Sequence, residues 1–271
     1  MPVKVMVRKF PAIIFIVCAC VASSCGRGAR LPEDLSRAEG LLDSRPDSSL
    51  IILDSASYSE SSGRYLYASY CLLRTFAEYN AYKPGIDEGM MNVGVDYFLK
   101  YGNRDRKAQA YYLRAVVRED NKSGNQADWA NDLLLATKEV KGSGNHMLAA
   151  MINLRYAVVL NDRKWYDASL PYLEKGLEEA EKAGSLAFQV TALINLSHRS
   201  LFLGDADRDY SEAIEYANRA AEISKGDDND YARALYNLGA CYSRNGQFDK
   251  ALECASTAVR AQERLFREGK R

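Results

Sequence analysis

The sequence is poor in helix breakers and in the residues that do chemistry. It holds 6 prolines and 2 histidines in 271 residues. So few prolines leave room for long helices, because an interior proline removes a backbone hydrogen bond and crowds the preceding turn. The histidines, His146 and His198, are far apart, and no Cys/His spacing suits zinc. No glycine-rich phosphate loop follows a strand, and neither a G-x-S-x-G elbow nor an HExxH helix occurs. Net charge is absent too, with 36 basic and 36 acidic residues. Nucleic-acid binding needs a basic stripe, and there is none. These absences point away from an enzyme, a cofactor, a metal and nucleic acid. The acid pair Glu178-Glu179 reads as a solvated face, Asp227-Asp228 as a capping loop, and His146, in a Gly/Asn stretch, as solvated.

Apolar residues are plentiful at 47%, enough for a real core. The first stretch of them is an address. Lys4, Arg8 and Lys9 precede an apolar run from Phe10 to Val21, which is shorter than the roughly 20 residues of a bilayer span. That pattern fits a secretory signal over residues 1–24. The ending Ala-Ser-Ser-Cys, residues 22–25, resembles a bacterial lipobox, although Ala22 stands where leucine is usual. The resemblance implies cleavage before Cys25 and lipidation of Cys25, with residues 25–32 as a tether. Membrane attachment through that lipid, in the cell envelope and at the outer membrane, is the expected location. Export would meet an oxidising compartment. A bridge between Cys241 and Cys254 is conceivable there, and two small buried packing residues are the plainer reading.

The rest of the chain reads as helix. Leu35, Ala38, Leu41 and Leu42 form an apolar stripe, Arg45 to Ser48 breaks it with Asp47 or Ser48 suited to a cap, and Leu50, Ile51 and Leu53 continue. Residues 33–57 are therefore an N-terminal helical hairpin. Residues 58–271 repeat. First-helix anchors fall at Leu72, Leu113, Leu154, Leu196 and Leu238, at a period of 41 or 42 residues. Breakers such as Lys83-Pro84-Gly85 and Asn245-Gly246 divide each unit into two helices, giving five hairpins. The turn at 204–208 looks longer than its counterpart at Asn245, Arg155 falls where a small residue is expected, and Pro171 should lie near the start of its helix.

The last unit, Ala232 to Arg260, carries a specific signature. Leu235, Leu238, Gly239 and Tyr242 share one helical face, Gly246 marks the turn, and Phe248, Ala251, Ala255 and Ala258 follow. This unit resembles a tetratricopeptide repeat, in which small residues such as Gly239 and Ala251 let two helices cross closely. The opening AEGLLDSRPDSSLIILDS and the stretch VDYFLKYGNRDRKAQAYYL extend the likeness to tetratricopeptide lipoproteins and sensor halves of Gram-negative bacteria. The period of about 42 exceeds the usual ~34. The fold expected is all-α, an α-solenoid of stacked helical hairpins.

The resemblance also implies where a ligand sits. First helices line the concave side of such a solenoid, at fixed offsets from the anchor leucine. Those positions include Asn153 and Tyr156, Asn195 and His198, and Tyr236, Asn237 and Arg244, with Arg233 beside them. The three asparagines would form a ladder able to clamp an extended peptide, because an amide both donates and accepts. The alternative is that they bond locally between helices. The 18 tyrosines suit helix packing first and recognition second. No capping helix follows the last unit, so an apolar end face should recruit a partner or a second copy. The function expected is a non-catalytic scaffold binding a protein or peptide partner. A ligand-detecting module of a signalling system is the alternative.

Overall fold

The computed structural model describes residues 30–207 and 209–267. The expected signal segment and Cys25 lie outside the described residues. Twelve α-helices and one 3-10 turn make up the rest, with no strand among the described residues. Helices α1 (Glu33–Leu41) and α2 (Pro46–Ser55) form a short hairpin. A 3-10 turn at Glu60–Ser62 leads to α3 (Arg64–Asn80) and α4 (Glu88–Tyr101). Then follow α5 (Arg104–Asp120) with α6 (Gln126–Val140), and α7 (His146–Asp162) with α8 (Tyr166–Lys182). Helices α9 (Leu186–Asp207) with α10 (Ser211–Ile223), and α11 (Asp228–Arg244) with α12 (Phe248–Arg267), complete the stack. None of these helices is long and apolar enough to cross a membrane.

Local chemistry sets the boundaries. The side chains of Asp87, Asn103, Asn125, Asn145 and Asp227 accept bonds from the first free N–H groups of α4, α5, α6, α7 and α11. Each such cap contributes about 1 kcal/mol. The expected cap of α2 is different: Pro46 opens that helix and Arg45 stands at its N-cap without a side-chain bond. Pro171 lies well inside α8 and not at its start. The extra residues before α10 are not a longer turn, because α9 runs on to Asp207.

Packing joins the hairpins into one solenoid. Each second helix packs against the first helix of the next unit, and consecutive first helices touch. The anchors Leu72, Leu113, Leu154, Leu196 and Leu238 are all buried. Two tight helix crossings lie opposite these anchors. A Cβ on Gly94 of α4 would come within 2.9 Å of the Leu72 backbone nitrogen, and one on Gly176 of α8 within 2.5 Å of a Leu154 methyl. Gly239 is not such a gap, since its nearest neighbours would be 3.4 Å from an added Cβ. Buried Asp132 on α6 takes a two-pronged bond from Arg114 on α5, at 2.6 and 2.7 Å. Glu39 on α1 reaches past α3 to Arg106 on α5 at 2.7 Å, so the first helices curve toward one another on a concave side.

Two charged residues placed on the surface by sequence are built into the structure. His146 opens α7 and its Nδ1 lies 2.6 Å from Glu179 Oε2. Glu179 is buried, and Lys175 and Lys182 complete its shell at 2.9 and 3.4 Å. Burial raises the Glu179 carboxyl, but His146, Lys175 and Lys182 outweigh it and hold the group below the ordinary glutamate range. Cys71, Cys241 and Cys254 are free and buried.

Candidate functional site

The C-terminal half of the solenoid contains a cavity of about 660 Å³ between α9, α11 and α12. Five of the residues singled out in the sequence line it: Asn195, His198, Arg233, Tyr236 and Asn237. They meet because successive first helices lie side by side, one repeat apart. Helix α12 supplies the remaining wall, through Ala255, Ala258, Val259 and Gln262. Small residues leave the floor open, while Tyr236, 78% exposed, presents its ring at the mouth.

The polar groups are not equally available. Asn195 Nδ2 donates to Thr191 O on its own helix at 2.8 Å. Asn237 Nδ2 donates to Ser197 Oγ at 2.8 Å, and Ser197 passes the chain on to Ala213 O at 2.9 Å. That chain ties α11 to α9 and α10, with Cys241 Sγ 3.3 Å from the same hydroxyl. Asn237 Oδ1 is buried without a partner at hydrogen-bonding geometry. His198 lies on the exposed rim, yet the cavity walls desolvate it enough to pull its imidazole below the ordinary value, with Asn237 opposing. Arg233 is held by Asp230 at 2.7 Å and spans to Thr191 Oγ1 at 3.4 Å.

The other three sequence candidates lie elsewhere. Asn153 lines a separate cavity of about 440 Å³ between α6, α7 and α8, and its Nδ2 donates to Ala149 O at 2.7 Å. Tyr156 packs edge-on to Tyr172 at 4.7 Å. Arg244 is exposed at the end of α11, outside the cavity. The three asparagines therefore do not share one groove, and each amide donor is bonded within the protein.

Sequence reasoning missed two contributions. One is the α12 wall, whose stripe of Phe248, Leu252, Ala255, Val259, Gln262 and Phe266 alternates steps of four and three and was legible in principle. The other is a second concave cavity of about 620 Å³, lined from the α1–α2 turn through α3, α5 and α7 to the start of α9. Arg155, out of place in the repeat pattern, faces this cavity and pairs with Glu119 at 2.5 Å. No local signal marks that site, because its walls come from five successive hairpins.

Residues 201–264 match the tetratricopeptide repeat family. No curated protein matches the sequence. Among solved structures, BtubC (BKLC) from P. vanneervenii aligns with a TM-score of 0.60 and 17% identity, over 94% of this chain and 93% of its own. The apo form of RapI aligns with a TM-score of 0.66 and 14% identity, over 86% of this chain and 65% of that one. A Rap protein complexed with Competence and Sporulation Factor gives 0.62 and 14%, over 85% and 65%. This chain thus spans about two thirds of each Rap chain, and at such identities the likeness is one of fold. The fold is a helical-repeat scaffold of the tetratricopeptide type.

Proposed function

We propose that this chain is a non-catalytic scaffold of the cell envelope, held at the outer membrane by lipid on Cys25. It binds a peptide or protein segment in the cavity between α9, α11 and α12. The observation that carries this reading is the gathering of Arg233, Tyr236, His198 and two asparagines around one cavity with an apolar α12 wall. An exposed tyrosine beside small floor residues suits an inserted apolar side chain. The N-terminal sequence supports the envelope address, and the Rap protein complexed with Competence and Sporulation Factor supports a binding role for the fold. That complex also favours a second reading, a ligand-detecting module in a signalling system.

Self-association through α12 belongs to the same proposal. Phe248, Leu252, Val259 and Phe266 are between 57% and 69% exposed along its outer face. The matching stretch of α10, at Ala217, Ala220 and Ala221, is buried where α11 packs over it. A second copy of α12, antiparallel, would oppose Phe248 with Phe266, Leu252 with Gln262 and Ala255 with Val259, a heptad seam that shares Ala255, Val259 and Gln262 with the cavity wall and so competes with a bound segment.

The test is crosslinking capture from envelope membranes with the full chain tagged at Arg271. One enriched partner, lost on Tyr236→Ala and retained in a washed membrane only when Cys25 is present, is expected. Capture unaffected by Tyr236→Ala and Arg233→Ala together rejects this cavity as the site. Absence of any protein partner favours the ligand-detecting reading. Asn237→Ala is a poor probe, since it also cuts the link from α11 to Ser197.

A further inference from the structure

The concave cavity at the other end of the solenoid has a distinct chemistry. Three first helices, α1, α3 and α5, point their C-terminal ends at it: Asp43 lies just past α1, Tyr79 and Asn80 end α3, and Asp120 is the last residue of α5. A helix C-terminus carries partial negative charge, so an acid there is unfavourable unless a cation answers it. The last turn of α5 reads Arg118-Glu119-Asp120, and Arg118 turns to Glu88, 3.8 Å away. The one cation among the lining residues, Arg155, pairs with Glu119 through a terminal nitrogen at 2.5 Å, while its buried Nε has no hydrogen-bond partner. Asp43 and Asp120, both exposed at the rim, belong to no ion pair among the described residues. The cavity walls desolvate Asp43 although it is exposed, which raises its carboxyl, and the long bond from Asn80, at 3.5 Å, only partly offsets this.

The remaining walls are aromatic and soft. Tyr79, Tyr112 and Phe188 face the cavity with Met147 and Met151. Burial pushes both phenols up, and the fields of Asp120 at Tyr79 and Asp43 at Tyr112 act in the same sense, with Arg155 opposing. At the rim stands Tyr82, 93% exposed and in the left-handed region at φ 54°. It occupies the position after α3 that Lys122 and Lys164 take after α5 and α7, also left-handed, and that glycine fills after α8 and α11, at Gly184 and Gly246. A side chain at that position is strained, and the Tyr82 ring is exposed and not packed among the described residues. Aromatic faces and unpaired carboxylates in one concave site are the elements of cation recognition.

We propose that this cavity binds an ammonium or guanidinium group on an aliphatic stem, the stem against Met147, Met151 and Phe188 and the charge between Asp43 and Asp120. The same chemistry is carried by a lysine or arginine side chain of a peptide and by a free polyamine. The site is independent of the cavity at α12, so either can fail without the other.

The experiment is calorimetric titration of the full chain at low salt with three probes. These are spermidine, a blocked tripeptide with lysine between two leucines, and glutarate as an anionic control of similar reach. One or both cations bind and glutarate does not. The tripeptide binding tenfold tighter than spermidine assigns the site to peptide side chains, and the reverse order assigns it to polyamines. Asp43→Asn with Asp120→Asn weakens the cation at least tenfold with unchanged helicity. Tyr82→Gly weakens it severalfold while raising the unfolding midpoint, a combination that a purely structural tyrosine would not give. Tyr236→Ala leaves it unchanged. No heat with either cation at millimolar concentration, equal binding of glutarate, or an undiminished double aspartate variant each overturns the proposal.

Discussion

Glycine is the most telling residue in this solenoid, and its positions differ in kind. Gly94 and Gly176 sit where an anchor leucine of the facing helix leaves no room for a methyl group. Gly94→Ala drives a Cβ into backbone, which cannot move aside, and should cost at the upper end of the ~1–3 kcal/mol typical of overpacking. Gly176→Ala meets a leucine side chain, which can give, and should cost less. Gly239→Ala meets ordinary contacts and gains helix propensity, so it should raise stability by up to about 1 kcal/mol. Chemical denaturation of the three variants ranks them, and a destabilised Gly239→Ala would contradict the geometry. The same scale holds a pH effect. Glu179 is held below the ordinary glutamate value by His146, Lys175 and Lys182. Its stabilisation is complete above the ordinary range, about 4.3, and is lost as the pH falls through the lowered value. The unfolding midpoint of the native protein should therefore drop more steeply with acid than that of Glu179→Gln. Parallel pH profiles would remove Glu179 from that role.

At the scale of the element, α12 differs from the second helices before it. Its inner face, with Cys254, Ala258 and Ala261, is buried against α11, and Arg264 reaches back to Asp228. Its outer face is open. Leu252→Glu with Val259→Glu should leave the helix formed and make the protein monomeric in sedimentation at a concentration where the native chain pairs. A native chain that stays monomeric at high concentration refutes the pairing. The repeat pattern located the helices because a 3.6-residue period of apolar positions needs no knowledge of neighbours. It misplaced the end of α9, since Gly204 looked like a breaker although the helix runs past it. It also misjudged His146 and Glu179, which lie in different helices and are joined only by folding.

For the whole molecule, legibility follows distance along the chain. The stacking order and the cavity between α9 and α11 were readable because matching positions one repeat apart become neighbours. The asparagine ladder was overextended for a physical reason: a repeat places side chains in register, but each amide takes the nearest carbonyl or hydroxyl, and Asn153, Asn195 and Asn237 all find one inside the protein. The concave cavity at Asp43 and Asp120 was not readable, since curvature over five units assembles it. Curvature is a sum of small rotations that no single sequence window encodes.

The open face of α12 has a further consequence, for the order in which the molecule comes apart. In a linear stack each hairpin is steadied by the neighbours it touches, and among the described residues the α11–α12 hairpin packs only against α9 and α10. Its amides should exchange with deuterated water sooner than those of α7 and α8, which are clasped from both sides. Anything that seats on α12 converts that loose end into an interior turn. Occupancy would then be visible as a slowing of exchange that begins at α12 and fades unit by unit toward α9, like a spring whose last coil has been pinned.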